Sequence, residues 1–294
     1  AVATFAFAFI SYFSVSQINI NLTTFTNDCD TMLLYRCTFS AFQQQPFANW
    51  FNYNADTAHI DSVTALQLKK ALKNTTLEIF MGSWCGDSKR EIPQLYKLLQ
   101  YIHYPERKIK LILVDDETDR YKQSPEHEEQ GKNIFRVPCV IVVKDKQEVG
   151  RVIEYPIESW AKDLYKIASK ENYTPHYSAG LNFMQLLNEK GVAGLQKDSA
   201  AMIAEIKQKS AGRSELNAIG YVYNALPDTS KALFTFLINY AMYPKEPRVI
   251  NSLAFMYRKV GNSKKAKELY NKTLSIDAEN EAAKEALRSI SAIE

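Results

Sequence analysis

The segment IFMGSWCGDSKREIP, residues 79 to 93, brings together the chain's most readable chemistry. An apolar run ends near Met81, Gly82-Ser83-Trp84 read as a turn, and a polar helix-forming stretch follows, so the thiol of Cys85 falls at the start of a helix. The first turn of a helix has unpaired N–H groups and about half a positive charge. A thiolate held there is stabilised, which favours the nucleophilic form of Cys85. Gly86 leaves room for a partner backbone, Trp84 shields one side of the sulfur, and the Asp87 carboxylate opposes ionisation. The expected result is a modestly activated thiol able to attack a disulfide. Ser88 stands where a redox pair carries its second cysteine, and a serine hydroxyl cannot displace the mixed disulfide that attack creates.

The elements that must hold this thiol are legible on both sides of it. DSVTALQLKKALKN has helical spacing at Val63, Leu66, Leu68 and Leu72. TLEIFMGS reads as a buried strand. DSKREIPQLYKLLQYI reads as a long amphipathic helix with Leu95, Leu98, Leu99 and Ile102 inward and Pro93 marking a kink. KIKLILVDD is a second buried strand, and SPEHEEQGKNI reads as a polar helix with Pro125 in its first turn. VPCVIVV and QEVGRVIEYP are two further strands joined through KDK, and IESWAKDLYKIASK is a closing helix. The order β-α-β-α-β-β-α predicts a mixed sheet with helices on its faces.

KENYTPHYSAG breaks the pattern and places a boundary near residue 172, after which the chain reads as helical to its end. Gly220, Tyr223, Ala232, Phe236 and Pro244 recur as Ala254, Tyr257, Ala266, Tyr270 and Ala278, always 34 residues on. Small residues at such positions let two helices approach, and the aromatics fill the space between them. EAAKEALRSISAIE reads as a solvating cap helix.

Three features over about 65–170 resemble the thioredoxin superfamily. Trp84-Cys85-Gly86-Asp87-Ser88 is similar to that family's Trp-Cys-Gly-Pro-Cys, Pro93 falls where the family bends its first long helix, and Val137-Pro138 is similar to its cis-proline loop. The 34-residue recurrence over about 213–280 resembles the tetratricopeptide repeat, with Ala278 in place of the usual turn proline. These resemblances imply an α/β thioredoxin-like mixed sheet with flanking helices over 46–171, a helical linker over 172–212, and an all-α tetratricopeptide-like repeat domain with its cap helix over 213–294. They imply Cys85 as nucleophile, Ser88 at the resolving position, Trp84, Gly86 and Asp87 around the sulfur, and Val137 and Pro138 holding an extended substrate segment. Ile79 falls where the family often buries a carboxylate, and Cys139 follows the proline where threonine is common; Cys139 is a candidate second thiol or a small buried hydrophobe.

With Ser88 and Ile79 both removing parts of the second half-reaction, the resemblance implies monothiol exchange or isomerase-like shuffling on protein thiols and disulfides, with no cofactor. The helical repeats would then recruit a partner protein. Two other readings use the same residues: a redox-inactive adaptor and a thiol peroxidase. His127 is a weak candidate base for Cys85, and Asp115, Asp116, Glu117 and Asp119 read as a turn rather than a metal site.

Of the 294 residues 46% are hydrophobic and 23% charged, enough for two packed cores, and a net charge of +3 makes no case for nucleic acid as a partner. Cys29, Cys37, Cys85 and Cys139 are too few for a disulfide scaffold, and no zinc-type spacing links them to the scattered histidines. AVATFAFAFISYFSV is apolar, carries no charge before Asp28, and is too short for a membrane span of about 20 residues. It reads as the apolar region of an export signal, so residues 1–45 are expected to be a leader or disordered segment and a periplasmic or otherwise exported setting is favoured over the cytoplasm.

Overall fold

A computed structural model of the chain describes residues 20–26, 30–197 and 199–292. Six strands form one mixed sheet: β1 (Leu22–Phe25), β2 (Thr31–Cys37), β3 (Thr75–Met81), β4 (Ile109–Leu113), β5 (Cys139–Lys144) and β6 (Gln147–Ile153). Their order is β1-β2-β4-β3-β5-β6, with β3 and β4 parallel and every other neighbouring pair antiparallel. The β5–β6 hairpin closes through Asp145 and Lys146, both left-handed at φ 51° and 64°, which is the backbone a two-residue hairpin turn requires.

Alternation along β3 divides the interior in two. Leu77, Ile79 and Met81 join a core with Ile92, Leu95, Leu98 and Leu164, closed by the helices α1 (Ala48–Asp56), α2 (Ser62–Ala71), α3 (Gly86–Tyr101) and α4 (Trp160–Ala168). Phe80, on the opposite face, joins Ile112, Val114, Ile141 and Ile153 in a second core that continues into Phe183, Met184 and Leu187 of α5 (Ser178–Gln196) and into the helices beyond. The sheet is thus covered on one face by its own helices and on the other by the C-terminal half.

That half contains α6 (Ser199–Lys209), α7 (Ser214–Ala225), α8 (Thr229–Met242), α9 (Pro247–Lys259), α10 (Ser263–Ile276) and α11 (Glu281–Ser291). The 34-residue period is visible in its caps. Asp228 and Asn262 each accept the backbone N–H three residues on, from Lys231 and Lys265, and start α8 and α10. Gly220 lets α7 and α8 meet, since a Cβ there would lie 2.5 Å from the Phe236 ring.

Several expectations need correction. Part of the segment expected to be a leader is sheet: β2 pairs antiparallel with β4, Leu33 and Met32 are buried, and Phe39 and Phe42 enter the first core. Long-range pairing to β4 fixes this segment, and no local periodicity announces it. Residues 1–19 and Cys29 lie outside the described residues. The expected helix over SPEHEEQGKNI is a series of turns. His127 and Asn133 are left-handed, and the Glu129 carboxylate takes both the N–H and the hydroxyl of Ser124, replacing helical bonds with local side-chain ones. On α2 the buried face is Ala65 and Leu68, followed by Leu72, while Val63 and Leu66 are 66% and 55% exposed. The segment expected as a helical linker over 172–212 is helical, as α5 and α6, but it does more than link: the buried side chains of α5 complete the second core.

Candidate active site

Cys85 is the N-cap residue of α3, with extended backbone (φ −77°, ψ 125°) before the helix begins at Gly86. The local sequence dictates this placement. β3 runs buried to Met81, Gly82 turns the chain, and the Cys85 N–H closes the turn on the Gly82 carbonyl at 3.0 Å. A side chain at Gly82 would strike the Trp84 indole, with a built Cβ only 2.4 Å from the ring. Trp84 is fixed from the far side by donating its Nε1–H to the Val114 carbonyl at 2.9 Å. Ser83 is buried and its hydroxyl accepts the Leu33 N–H at 2.8 Å, so β2 braces the turn that carries the thiol.

The Cys85 thiol is half-buried and donates to the Val137 carbonyl oxygen at 3.3 Å. The Val137–Pro138 peptide bond is cis, and the loop is held on β6 because the Glu154 N–H donates to the Pro138 carbonyl at 2.7 Å. Val137 is buried, and the atom it turns to Cys85 is its backbone carbonyl oxygen. The structure therefore brings Trp84, Cys85, Gly86 and Val137-Pro138 together. Gly86 is exposed, and nothing within 4 Å would meet a Cβ there.

Ser88 and Asp87 are placed differently from one another. Ser88 is fully buried beneath the first turn of α3, and its hydroxyl accepts the Gly82 N–H at 3.4 Å, so it pins the turn to the helix. Asp87 is paired with Arg90 at 2.7 Å. Arg90 in turn contacts Glu91 at 2.8 Å, and Glu91 accepts from the Trp160 indole at 3.2 Å. This chain of contacts anchors α3 to α4 and engages the Asp87 carboxylate, two residues after Cys85.

The other two described thiols are sealed. Cys139 is 2% exposed, and burial raises its pKa to about 11 despite the nearby Arg151 guanidinium. Burial pushes Cys37 to about 12. Both are protonated at neutral pH and neither is a ready nucleophile. Cys139 thus takes the small buried hydrophobe of the two roles open to it. Ile79 is buried in the apolar core of the α1–α4 face. His127 lies on the far loop, 3.4 Å from Glu129. Asp115 caps the end of β4 through Arg120 at 2.9 Å, and the described residues contain no cluster able to hold a metal ion.

Sequence reasoning missed the cations on this side of the sheet. Lys122 is buried, with its ammonium donating to the Tyr121 hydroxyl at 2.7 Å and the Phe135 carbonyl at 2.9 Å. Burial, reinforced by the Arg136 charge, lowers its pKa to about 7, while Cys85 and Glu154 pull in the other direction. Arg136 precedes Val137, binds Glu154 at 2.8 Å and Ser214 at 2.9 Å, and lies over the Tyr177 ring. Neither residue sits in a motif, and only the tertiary fold brings their loops beside Cys85.

The fold and the site define an α/β protein with a single accessible thiol among the described cysteines, mounted at a helix mouth and backed by a run of C-terminal helices. No protein-family model matches the chain, and no curated protein matches it. No helix of the described residues is long and apolar enough to cross a membrane.

Proposed function

We propose that this protein is a thioredoxin-like monothiol exchange protein, with Cys85 as the nucleophile toward protein disulfides. The observation that carries this reading is the half-buried Cys85 sulfur at the N-terminus of α3, 3.3 Å from the Val137 carbonyl. The S–H donates to that carbonyl, so the sulfur is already turned toward the loop that would hold the substrate. Among the described residues the Val137 N–H has no acceptor, which suits an extended segment aligned along the loop. Attack forms a Cys85–substrate disulfide and expels the other substrate sulfur as a thiolate. With Ser88 in the resolving position, a second thiol from solution or from the substrate must release Cys85. The test is incubation of the full chain with a scrambled-disulfide protein, followed by mass spectrometry for a Cys85 adduct. A Cys85 that reacts no faster than a free cysteine would sink the reading.

The tetratricopeptide-like repeats serve partner recruitment in this proposal. A groove along α7, α9 and α11, lined by Asn217, Tyr221, Asn251, Phe255 and Ser289, favours a peptide-binding role. The same groove supports a second reading, a redox-silent adaptor. A Cys85→Ala protein that retains full cellular activity would select it.

A further inference from the structure

The cleft between the Cys85 loop and the helical half is lined by one sign of charge. Lys122 and Arg136 enter it from the sheet side, and Arg213 and Arg248 from the helical side, around a cavity of about 620 Å³. Tyr121, Ser214, Asn217 and Tyr221 supply neutral hydrogen-bonding groups, and no carboxylate lines it. Two of the cations have capacity to spare. The Arg136 Nε is buried with no hydrogen-bond partner, and among the described residues Arg248 forms no ion pair. Arg136 also holds Glu154 at 2.8 Å. Of the other two, Arg213 meets Glu246 at 3.3 Å in an exposed pair, and the Lys122 ammonium already donates to Tyr121 and Phe135. The cleft is also next to the chemistry. Arg136 is bonded to Val137, whose carbonyl contacts the Cys85 sulfur, and Cys85 acts electrostatically on both Tyr121 and Lys122.

A concave site with low-dielectric walls and one sign of charge concentrates ions of the opposite sign. Guanidinium groups present paired donors that match the geometry of a carboxylate. The volume is that of a small-molecule site rather than of a folded domain.

We propose that this cleft binds a small, carboxylate-bearing thiol, and that this thiol releases Cys85 from its mixed disulfide. The inference rests on the exchange reading of Cys85 and names the co-reactant that reading requires. The carboxylates of the thiol lie against Arg136, Arg213 and Arg248. Its thiolate attacks the substrate sulfur of the Cys85 disulfide. A new disulfide forms between the small thiol and the substrate, the Cys85–sulfur bond breaks, and Cys85 leaves as a thiolate with that bond's electron pair. The small thiol is the reductant, and no other redox partner is needed.

The test uses the full chain carrying Cys29→Ser, with Cys85 first converted to its adduct with 2-mercaptoethanol. Discharge is followed by mass spectrometry with mercaptosuccinate, 2-mercaptoethanol or cysteamine at matched thiolate concentration. Mercaptosuccinate is expected to act about tenfold faster than 2-mercaptoethanol, and cysteamine more slowly than either. Succinate should compete with mercaptosuccinate, and in an Arg213→Gln/Arg248→Gln protein the ratio of anionic to neutral rates should fall toward one. Equal rates for the three thiols, or an anionic preference that survives both substitutions, overturns the proposal. Binding is read separately by NMR titration of a Cys85→Ala protein with succinate. Saturable shifts that disappear in the doubly substituted protein support the cleft even if Cys85 forms no adduct, an outcome that would remove the exchange reading alone. No saturable succinate binding overturns the cleft proposal.

Discussion

The Cys85 sulfur lies 3.3 Å from the Val137 carbonyl oxygen, so the helix mouth and the proline loop, far apart in the chain, meet at one atom pair. Burial sets the order of thiol reactivity. Cys85 is half-buried, whereas burial holds Cys139 and Cys37 at about 11 and about 12. Brief treatment of the native protein with iodoacetamide at neutral pH should label Cys85 and leave Cys37 and Cys139 unmodified until denaturant is added. Peptide mapping reads the result, and early labelling of Cys139 would contradict the sealed core.

Ser88 is fully buried one helical turn beyond Cys85 and bonds to the Gly82 N–H. Residues three apart share a helix face. Ser88→Cys is therefore expected to form an intramolecular disulfide with Cys85 and to gain dithiol reductase activity that the parent lacks. Insulin reduction measures the gain, and non-reducing peptide mapping measures the bond. A variant that keeps two free thiols under mild oxidation would show that the two positions do not meet.

Lys122 gives the stability curve a predictable sign. Its pKa falls from the ordinary lysine value to about 7, chiefly through burial and then through Arg136, with Cys85 and Glu154 opposing. Below about pH 7 both folded and unfolded chains hold the proton, and the folded state bears the whole cost of a buried charge, on the order of 4–5 kcal/mol. Between about pH 7 and about pH 10.5 the unfolded chain binds the extra proton, so this penalty is relieved as pH rises. Lys122→Met should abolish that rise. Its stability relative to the parent should be highest at acidic pH and should decline from pH 7 to 10, measured by urea unfolding.

Gly220 faces the Phe236 ring at a separation that leaves no room for a side chain. Gly220→Leu is expected to destabilise the α7–α8 pair by about 1–3 kcal/mol through overpacking. A matched loss of thermal stability with Cys85 reactivity retained would locate the effect in the helices. An unchanged melting temperature would mean that the two helices can separate at no cost.

The helical half covers Phe80, Ile112, Ile141 and Ile153 of the sheet. A chain ending at residue 171 exposes that face as a contiguous apolar patch, which favours aggregation. Such a truncated chain should be less soluble than the full chain and should bind a hydrophobic dye. A soluble, monomeric and cooperatively folding truncation would show that the sheet does not depend on its second cover.

Local chemistry by itself determined the parts of this protein that depend on near neighbours. The run from β3 through Gly82 to Cys85 is a strand, a turn and a helix start in sequence terms and in space. The β5–β6 hairpin and the 34-residue alternation of helices also follow from short-range patterns, because turn geometry and caps such as Asp228 and Asn262 act within a few residues. The tertiary structure alone decided that β2 joins the sheet beside β4, that α5 closes the second face, and that Lys122 and Arg136 stand next to Cys85. Each of these depends on contacts between segments far apart in the chain. In sequence a lysine in a polar loop carries no mark of being buried; desolvation and the field of a distant sulfur exist only once the core has closed around it.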